Sequence, residues 1–458
     1  MPTYRPRMAA VLRVAQMGSP AERASQATDD QLISFPVRVR RAFWERNDHQ
    51  HADLLRLSAE WRDAGADPRL LSSATVQFYL GSADDQGIWT PGPATLRFTG
   101  TLVRPRRVAR EGEGLMAELE FQDYTAFFLR AKLPPEGIPD YSQSLPDAWT
   151  RICDSTGYLD PAGSTQIIST VAALRDRLTP VGQLAQGSLP TLGQAAAPRF
   201  ARLGARVPTK PGADAWAVWQ QCVGMCGLIS FIQGDQCIVT LAQDYYSDHD
   251  PPRLVWGQNI LQMSEARNAD LAGKGVGVTS FDPLTGRSLE AFYPALGSSP
   301  SKRALSSGGK VSDHYEMFPY AGVTDQAALD ALARRIWEER SRQELEGHLS
   351  TVEMLSDTVS GDTFDLLNLG AGDAIRVEFE EKDKEALRSI PTVQARIAYL
   401  TDRGYSDGVA ELVAKDADAL SAAPPEFCVK RVTVDLQTDG DGGSFELQVN
   451  YCNRLIVQ

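Results

Sequence analysis

The chain has 458 residues, about three times the size of a typical domain, so two or three domains are expected. Its hydrophobic content of 43% and charged content of 23% are ordinary for a globular protein with a sizeable core. The net charge of −13 argues against a general phosphate-neutralising surface, and we expect neither a bilayer-spanning segment nor a signal peptide.

The N-terminal region and the first domain differ in their patterning. Residues 1–30 are mixed and polar, so we expect a loosely held arm. Residues 31–134 show period-two alternation, as expected for antiparallel strands with one buried side, and we predict a β-barrel or sandwich there. The predicted inward positions are Phe35, Val37, Val39, Leu55, Leu57, Ala59, Trp61, Leu115, Ala117, Leu119 and Phe121. The arginine run VRPRRVAR, which ends at Arg110, precedes Glu111 and Glu113, so we expect a solvated loop and not a phosphate site.

Residues 135–249 predict a small α/β domain. LPDAWTRICDSTGY and TVAALRDRLT have the composition of short helices separated by Pro- and Gly-rich connections. DAWAVWQQCVGMCG predicts an amphipathic helix ending near Gly227, followed by a hairpin about a QGD turn.

Residues 250–458 predict a second β domain with one helix. GKGVGVTSFDPLTGRSLEAFYP and RVTVDLQTDGDGGSFELQVNYC are predicted hairpins. TDQAALDALARRIWEERSRQELEG is the strongest helix pattern, with Thr324 as its predicted cap. Residues 381–420 are predicted to form a partly helical insertion. The fold class is therefore mainly β with α+β inserts: two antiparallel β-barrel or sandwich domains plus a small α/β domain.

A short segment with H-x-H-x-D spacing is the main candidate for catalysis. His49, His51 and Asp53 match the start of a metallohydrolase zinc signature, but Leu54 stands where that signature wants another histidine. The remaining histidines, His249, His314 and His348, are in segments that resemble no ligand motif. We therefore interpret the segment as a polar turn between two strands, with a metal-dependent hydrolase as the alternative.

The remaining candidates also favour structural interpretations. Cys222, Cys226 and Cys237 lack knuckle spacing and a fourth ligand, so we expect small buried residues. Together with Cys153, Cys428 and Cys452 they are too scattered for a disulfide scaffold, although bridges between subunits through Cys428 or Cys452 stay open. GKGVGV and SSGGK do not fit the phosphate-loop pattern, and no G-x-S-x-G elbow occurs. We assign no catalytic residue, no cofactor and no metal ligand.

Several segments, taken in order, resemble one known family. The segment Phe35–Gly81 resembles the opening of baseplate hub proteins of contractile phage tails and related injection systems, the late control protein D-like family. The later segments AWAVWQQCVGMCGLISFIQGD, VTSFDPLTGRSLEAFYP, DQAALDALARRIWEERSRQELEGHLST and LNLGAGDAIRVEF agree in order. The resemblance covers about residues 30–458, with 381–420 as a departure. The family is itself similar to the N-terminal part of type VI secretion spike proteins. Since no spike-like domain follows, we expect the spike to be a separate protein.

The resemblance implies a mechanical function in a tail. It implies a homotrimer that joins a hexameric tail tube to a trimeric central spike, with two tube-like domains in each chain. The implied partners are the spike, the tube protein and baseplate wedge proteins, with a tape measure protein as a further candidate. Neither a specific nucleic acid nor stable membrane insertion is expected. The implied location is the baseplate of a virion or injection device assembled in a bacterial cytoplasm, and a wall-degrading tail enzyme is a third interpretation.

Overall fold

The first six strands form a closed antiparallel barrel, called here the first barrel. Its strands are β1 (Pro6–Ala15), β2 (Leu32–Arg46), β3 (Leu54–Glu60), β4 (Ala74–Ser82), β5 (Leu96–Arg110) and β6 (Gly114–Gln122). They follow the order β1-β4-β5-β6-β3-β2, and β1 also pairs with β2 to close the barrel. Alternating apolar residues fill the interior, among them Leu55, Leu57, Phe78 and Phe121, each at most 2% exposed.

The computed structural model describes most of the chain, with gaps. The described residues are 6–15, 32–61, 74–83, 88–110, 114–157, 165–187, 189–192, 206–207, 209, 212–245, 250–267, 275–282, 286–295, 315–319, 323, 325–342, 345–379, 386–387, 389–405, 407, 410–411, 414, 426–439 and 442–453. They form a mainly β protein with a few helices, so the predicted fold class is confirmed.

Three expectations for this region are wrong. Residues Pro6–Ala15, assigned from the sequence to an arm, form β1 and pair on both sides with β2 and β4. The run VRPRRVAR is strand, because it continues β5 along β6 as far as Arg110. Leu115 is 41% exposed while Met116 is buried, so the alternation predicted for β6 fails at the beginning of the strand.

The segment after β6 folds into a small α/β unit. Its elements are α1 (Thr125–Arg130), α2 (Leu145–Gly157), α3 (Thr165–Asp176), β7 (Leu178–Pro180), α4 (Ala215–Met225), β8 (Leu228–Gln233), β9 (Gln236–Leu241) and α5 (Ala242–Tyr245). Asp214 caps α4 by accepting the N–H of Ala217. Gly227 (φ 72°) and Gly234 (φ 60°) supply the left-handed conformations that end the helix and turn the hairpin. Both features match the prediction.

The other six strands of the twelve-stranded sheet form a second set, called here the second sheet. They are β10 (Arg253–Trp256), β11 (Gln262–Arg267), β15 (Leu345–Thr351), β18 (Ala374–Phe379), β19 (Glu426–Asp439) and β20 (Gly442–Asn453). Their order is β10-β18-β19-β20-β15-β11. The predicted hairpin about DGDGG is the β19–β20 pair. A short pair, β16 (Leu355–Asp357) and β17 (Thr363–Asp365), lies between β15 and β18.

Two insertions interrupt the second sheet. Between β11 and β15, the strands β12 (Gly275–Asp282), β13 (Arg287–Tyr293) and β14 (Tyr315–Pro319) pack with α6 (Gln326–Arg342) around their own core. Thr324, the predicted cap of α6, lies outside the described residues, and the carboxylate of Asp325 accepts the N–H of Ala328. Between β18 and β19, α7 (Val393–Asp402) is the helix predicted in the 381–420 insertion, and Leu400 belongs to a cluster that packs on Trp256.

The two six-strand sets share one strand order. Numbered along the chain within each set, both follow first, fourth, fifth, sixth, third, second. A row of directly opposed residues crosses the second, third, sixth and fifth strands of each set. The row is Trp44, Leu55, Phe121 and Leu102 in the first barrel, and Glu265, Gly347, Tyr451 and Val429 in the second sheet. Each row ends at the residue just before a bulge in the fifth strand, which gives the two sets a common register from the second to the fifth strand. The first strands differ in direction, because β1 is antiparallel to β4 whereas β10 is parallel to β18.

Among the residues described above, no helix combines the length and the apolar character required to cross a membrane.

Candidate functional site

One strand pair joins the first barrel to the second sheet. The length of β2 allows it to serve both: its first half, Leu32–Val37, closes the first barrel on β1, and its second half, Arg41–Arg46, pairs with β19. The register of β2 against β3 shifts between Val39 and Arg41. A bulge bends a strand and increases its twist, so the strand leaves the first barrel's seam at this shift. The result is a single hydrogen-bonded sheet across both sets, and this β2–β19 pairing is called the joint.

Reciprocal ion pairs flank the joint on its outer face. Arg41 Nη2 lies 2.5 Å from Asp435 Oδ2, and Arg431 Nη1 lies 3.9 Å from Glu45 Oε1. Both strands carry a basic residue four positions before an acidic one, and antiparallel pairing brings each base to the other strand's acid. The arginine side chains are about half exposed, so each pair contributes little to stability, roughly 0.2–1 kcal/mol. They chiefly favour this register over its neighbours.

The inner face of the joint is apolar. Trp44 lies opposite Val434 and Ala42 opposite Leu436, and all four are at most 2% exposed. These residues belong to one hydrophobic cluster that runs from the first barrel into the second sheet. A single continuous core resists bending between the two sets, because any opening at the joint would expose it to water.

A buried arginine connects the two sets at a second place. Arg97 of β5 donates from Nη2 to Asp365 Oδ2 of β17 at 2.7 Å and from Nη1 to Asn368 Oδ1. The Arg97 side chain is only 7% exposed, so this pair is largely desolvated. Arg46 of β2 binds the same loop, because it donates to the carbonyl oxygens of Asn368 and Leu369 at 3.0 and 2.6 Å. The loop after β17 is thereby held against the first barrel by two arginines.

A glycine in this loop allows the close approach of Arg46. A Cβ atom added at Gly370 would lie 2.9 Å from the Arg46 guanidinium. That distance is shorter than ordinary van der Waals contact, so any side chain at this position would displace the arginine from the carbonyl groups it binds.

The predicted His-x-His-x-Asp turn joins β2 to β3 and contacts the α/β unit. The carbonyl oxygen of His49 accepts hydrogen bonds from Trp216 Nε1 and Gln220 Nε2 of α4, both at 3.2 Å. The His49 ring meets Tyr245 edge-on, with centroids 5.4 Å apart. The turn therefore holds the α/β unit beside the joint, and its contact with α4 is made by backbone.

The three residues of the motif point to different partners. His51 Nδ1 lies 2.6 Å from Asp48 Oδ1 in a side chain that is 68% exposed. Asp53 accepts the Asn47 N–H at 2.8 Å, which closes the turn from inside. Within the described ranges, no three His, Cys, Asp or Glu side chains are grouped as a metal site.

Two carboxylates with raised pKa values line a cleft behind the turn. The cleft has a volume of about 710 Å³ and is lined by the turn, α5 and the loop after β17. Burial raises the pKa of Asp53 to about 6, although Arg46 acts in the opposite sense. Burial and the neighbouring Asp53 raise the pKa of Asp123 well above its ordinary value. Because folding raises the pKa of Asp53, its contribution to stability falls as the pH rises through about 6, and the raised pKa of Asp123 acts in the same direction.

The cysteines predicted as small buried residues lie in the core of the α/β unit. Cys222 and Cys237 are fully buried and Cys226 is half-buried. Burial raises the pKa of the Cys237 thiol to about 12, so it stays protonated at neutral pH. All six cysteines of the chain are thiols, and Cys428 lies opposite Cys452 in the β19–β20 pair.

Sequence reasoning missed the residues that make the joint. Arg41 and Asp435 are 394 positions apart, and Arg97 and Asp365 are 268 apart. A local signal existed for one of these pairs: VRRAFWE in β2 and VKRVTVD in β19 both place a basic residue four positions before an acid. No local pattern marks Arg97, whose importance depends on its burial.

Comparisons with known proteins show the fold of tail proteins. The chain is similar over 97% of its length to 96% of a tail protein from Neisseria meningitidis MC58, with 12% identity and a TM-score of 0.55. It is similar over 97% of its length to 98% of the 43 kDa tail protein of prophage MuSo2 from Shewanella oneidensis, with 8% identity and a TM-score of 0.52.

A type VI secretion component from E. coli is a weaker structural match, with 10% identity and a TM-score of 0.44 over 92% of this chain and 75% of that one. No family model matches the sequence, and no curated protein matches it significantly. The two matches with TM-scores above 0.5 described here are both tail proteins.

Proposed function

We propose that this chain is a baseplate hub, a trimeric adapter that joins a sixfold tail tube to a threefold central spike. The observation that carries the proposal is the repeat of one six-strand order, with one register, in a single chain. The full-length likeness to two tail proteins supports a structural role in a tail. A chain with two equivalent units presents six units when three copies surround one axis, and it keeps threefold symmetry elsewhere.

The proposed domains follow the two strand sets. Residues 31–134 and 250–458 are the tube-like domains, with β1 added to the first, and residues 135–249 form the α/β domain between them. In this proposal the two repeated sets face the tube. The α/β unit and the insertions between strands have no equivalent among the described residues of the other set, so they follow threefold and not sixfold symmetry. Those parts are therefore the surfaces for threefold partners, among them the spike. Tube, spike and wedge proteins are the expected partners, at the baseplate of a virion or injection device.

The proposal predicts a defined mass in solution. Light scattering on purified protein should give three copies of the 50.0 kDa chain, with a fraction that rises with concentration if assembly is reversible. The measurement should be repeated with the spike and tube proteins present, because partner binding favours the assembled state. A chain that stays monomeric under both conditions would contradict the proposal.

A metal-dependent hydrolase is the alternative, because Asp53 has a pKa near 6 and lines a cleft beside His49. Replacing both His49 and His51 with alanine separates the two functions. The hub proposal predicts an unchanged assembly and at most about 1 kcal/mol of lost stability, since His49 bonds α4 through its carbonyl oxygen and His51 is exposed. The hydrolase alternative requires metal-dependent hydrolysis in the parent protein that the double variant loses.

A further inference from the structure

The joint connects unlike strands of two like sets. β2 is the second strand of the first barrel, and β19 is the fifth strand of the second sheet. A contact between different surfaces of equivalent units is heterologous, and such contacts continue from unit to unit until they close a ring. Each set should therefore have a second-strand edge and a fifth-strand edge. The joint uses one edge of each set. The two edges that it does not use are the fifth strand of the first barrel and the second strand of the second sheet.

The fifth strand of the first barrel, β5, repeats the form of β19. The beginning of β19 pairs with β18, a bulge follows at Lys430, and Val432–Gln437 then pairs with β2. Likewise the beginning of β5 pairs with β4 up to Thr101, and a bulge follows at Val103. The segment Arg104–Arg110 then continues along β6 only, since no described strand pairs with its other edge. This segment is called the β5 extension.

The second strand of the second sheet, β11, repeats the half of β2 that makes the joint. Arg41–Glu45 of β2 pairs with β3, and Gln262–Ala266 of β11 pairs with β15 at the same positions of the repeated row. β11 ends the path of the shared sheet, so among the described strands β15 is its sole ladder partner. Gln262, Ser264 and Ala266 are exposed along it. Unpaired edges of this kind pair readily with another strand.

The joint fixes the register in which these two edges would meet. In the joint Trp44 lies opposite Val434, which is five residues after Val429 of the repeated row. In the contact between the two remaining edges, Glu265 would occupy the position that Trp44 has in the joint. Arg107, which is five residues after Leu102, would occupy the position of Val434. The pairs expected from this transfer are Arg106 with Ala266, Arg107 with Glu265, Val108 with Ser264, and Ala109 with Met263.

The chemistry of the two edges agrees with this register. Opposite Arg107 stands Glu265, the acidic residue of β11, whose carboxylate is held at the edge by the hydroxyl of Tyr451 at 2.8 Å. Directly opposed residues of opposite charge favour pairing between strands. The small residues Ala109 and Ser264 leave room for close approach. By contrast, Trp44 and Val434 occupy the positions of Glu265 and Arg107 in the joint, so this second contact is the more polar of the two.

We propose that β11 of one chain pairs with the β5 extension of a second copy of the same chain, in the register of the joint. The partner is a second copy because six strands lie between β5 and β11 in the shared sheet. The inference deepens the proposed hub function and depends on it. Alternation of the joint with this contact closes three chains into one ring, with every set using both of its edges.

A pair of engineered cysteines tests the contact in the full-length protein. Val108→Cys with Ser264→Cys places two thiols directly opposite each other, where cross-strand Cβ atoms lie about 5 Å apart. A short bifunctional thiol reagent should then link two and three chains on a denaturing gel. The matched control is Arg104→Cys with Ser264→Cys, which moves one thiol four residues, about 13 Å, along the strand. The control should give at least ten-fold less linked product, and neither single variant should give covalently linked trimers on the gel.

The outcomes separate this contact from the hub function. A trimeric mass with links in the in-register pair alone supports the contact. A trimeric mass with no links, or with equal links in the control, overturns the contact and leaves the hub function standing. Links within one chain, seen as lost thiols at monomer mass, also overturn it. A monomer that forms no links overturns both proposals.

Discussion

Replacing Asp365 with asparagine is expected to lower the free energy of unfolding by about 3 kcal/mol. The change keeps an oxygen that accepts the Leu367 N–H but removes the charge that faces Arg97. Arg97 is 7% exposed, so its guanidinium would remain buried without an anionic partner. The cost arises from the desolvated charge left behind, and loss of an exposed ion pair would be far smaller.

Chemical denaturation of two variants and one control measures this effect. The control is Glu346→Gln, which removes the exposed pair with Lys430 and should change stability by less than about 0.5 kcal/mol. Adding Arg97→Met to Asp365→Asn should recover part of the loss, because the buried charge is then gone. If Asp365→Asn were as stable as the parent, Arg97 would not hold the loop against the first barrel in the way described.

Replacing Trp44 with alanine is expected to cost about 3–5 kcal/mol. Trp44 is 2% exposed, lies at the centre of the joint opposite Val434, and belongs to the core shared by both sets. The cavity left at this position would weaken both the first barrel and its attachment to the second sheet. A lower unfolding midpoint together with faster proteolysis between the two sets would show both effects.

Trp44→Phe is the matched variant for this position. No group among the described residues accepts a hydrogen bond from Trp44 Nε1, so phenylalanine loses buried area without breaking a hydrogen bond. It should cost about 1–2 kcal/mol. Equal losses for the alanine and phenylalanine variants would contradict the account that the buried volume of the side chain stabilises the joint.

Local patterning predicted the strands that have one buried face and one solvated face. Leu55, Leu57 and Ala59 alternate with polar residues, so β3 was evident from the sequence. The run VRPRRVAR was predicted as a solvated loop because Glu111 and Glu113 follow it at once, yet β6 pairs with it from Arg104 to Arg110. Backbone hydrogen bonds to β6 hold this segment in a strand, although its side chains show almost no apolar alternation. β1 was missed because its position depends on pairing with β2 and β4, which propensity does not encode.

The candidate site was predictable only in part. The His49 turn was expected between two strands and is found there, but its contact with α4 passes through a backbone oxygen that no motif reveals. The joint depends on residues hundreds of positions apart, such as Arg41 and Asp435. The repeat of strand order is likewise a property of topology, since it depends on which strands pair. Such features follow from the packing of the whole chain.

The number of copies of this chain at the tip of an assembled tail tests the central claim most directly. A reconstruction of the tip should show three chains around the tail axis, each placing the first barrel and the second sheet as neighbouring units of one ring beneath the tube. Six chains in that ring, with a single unit of each facing the tube, would contradict the account. So would a tail tip from which the chain is absent.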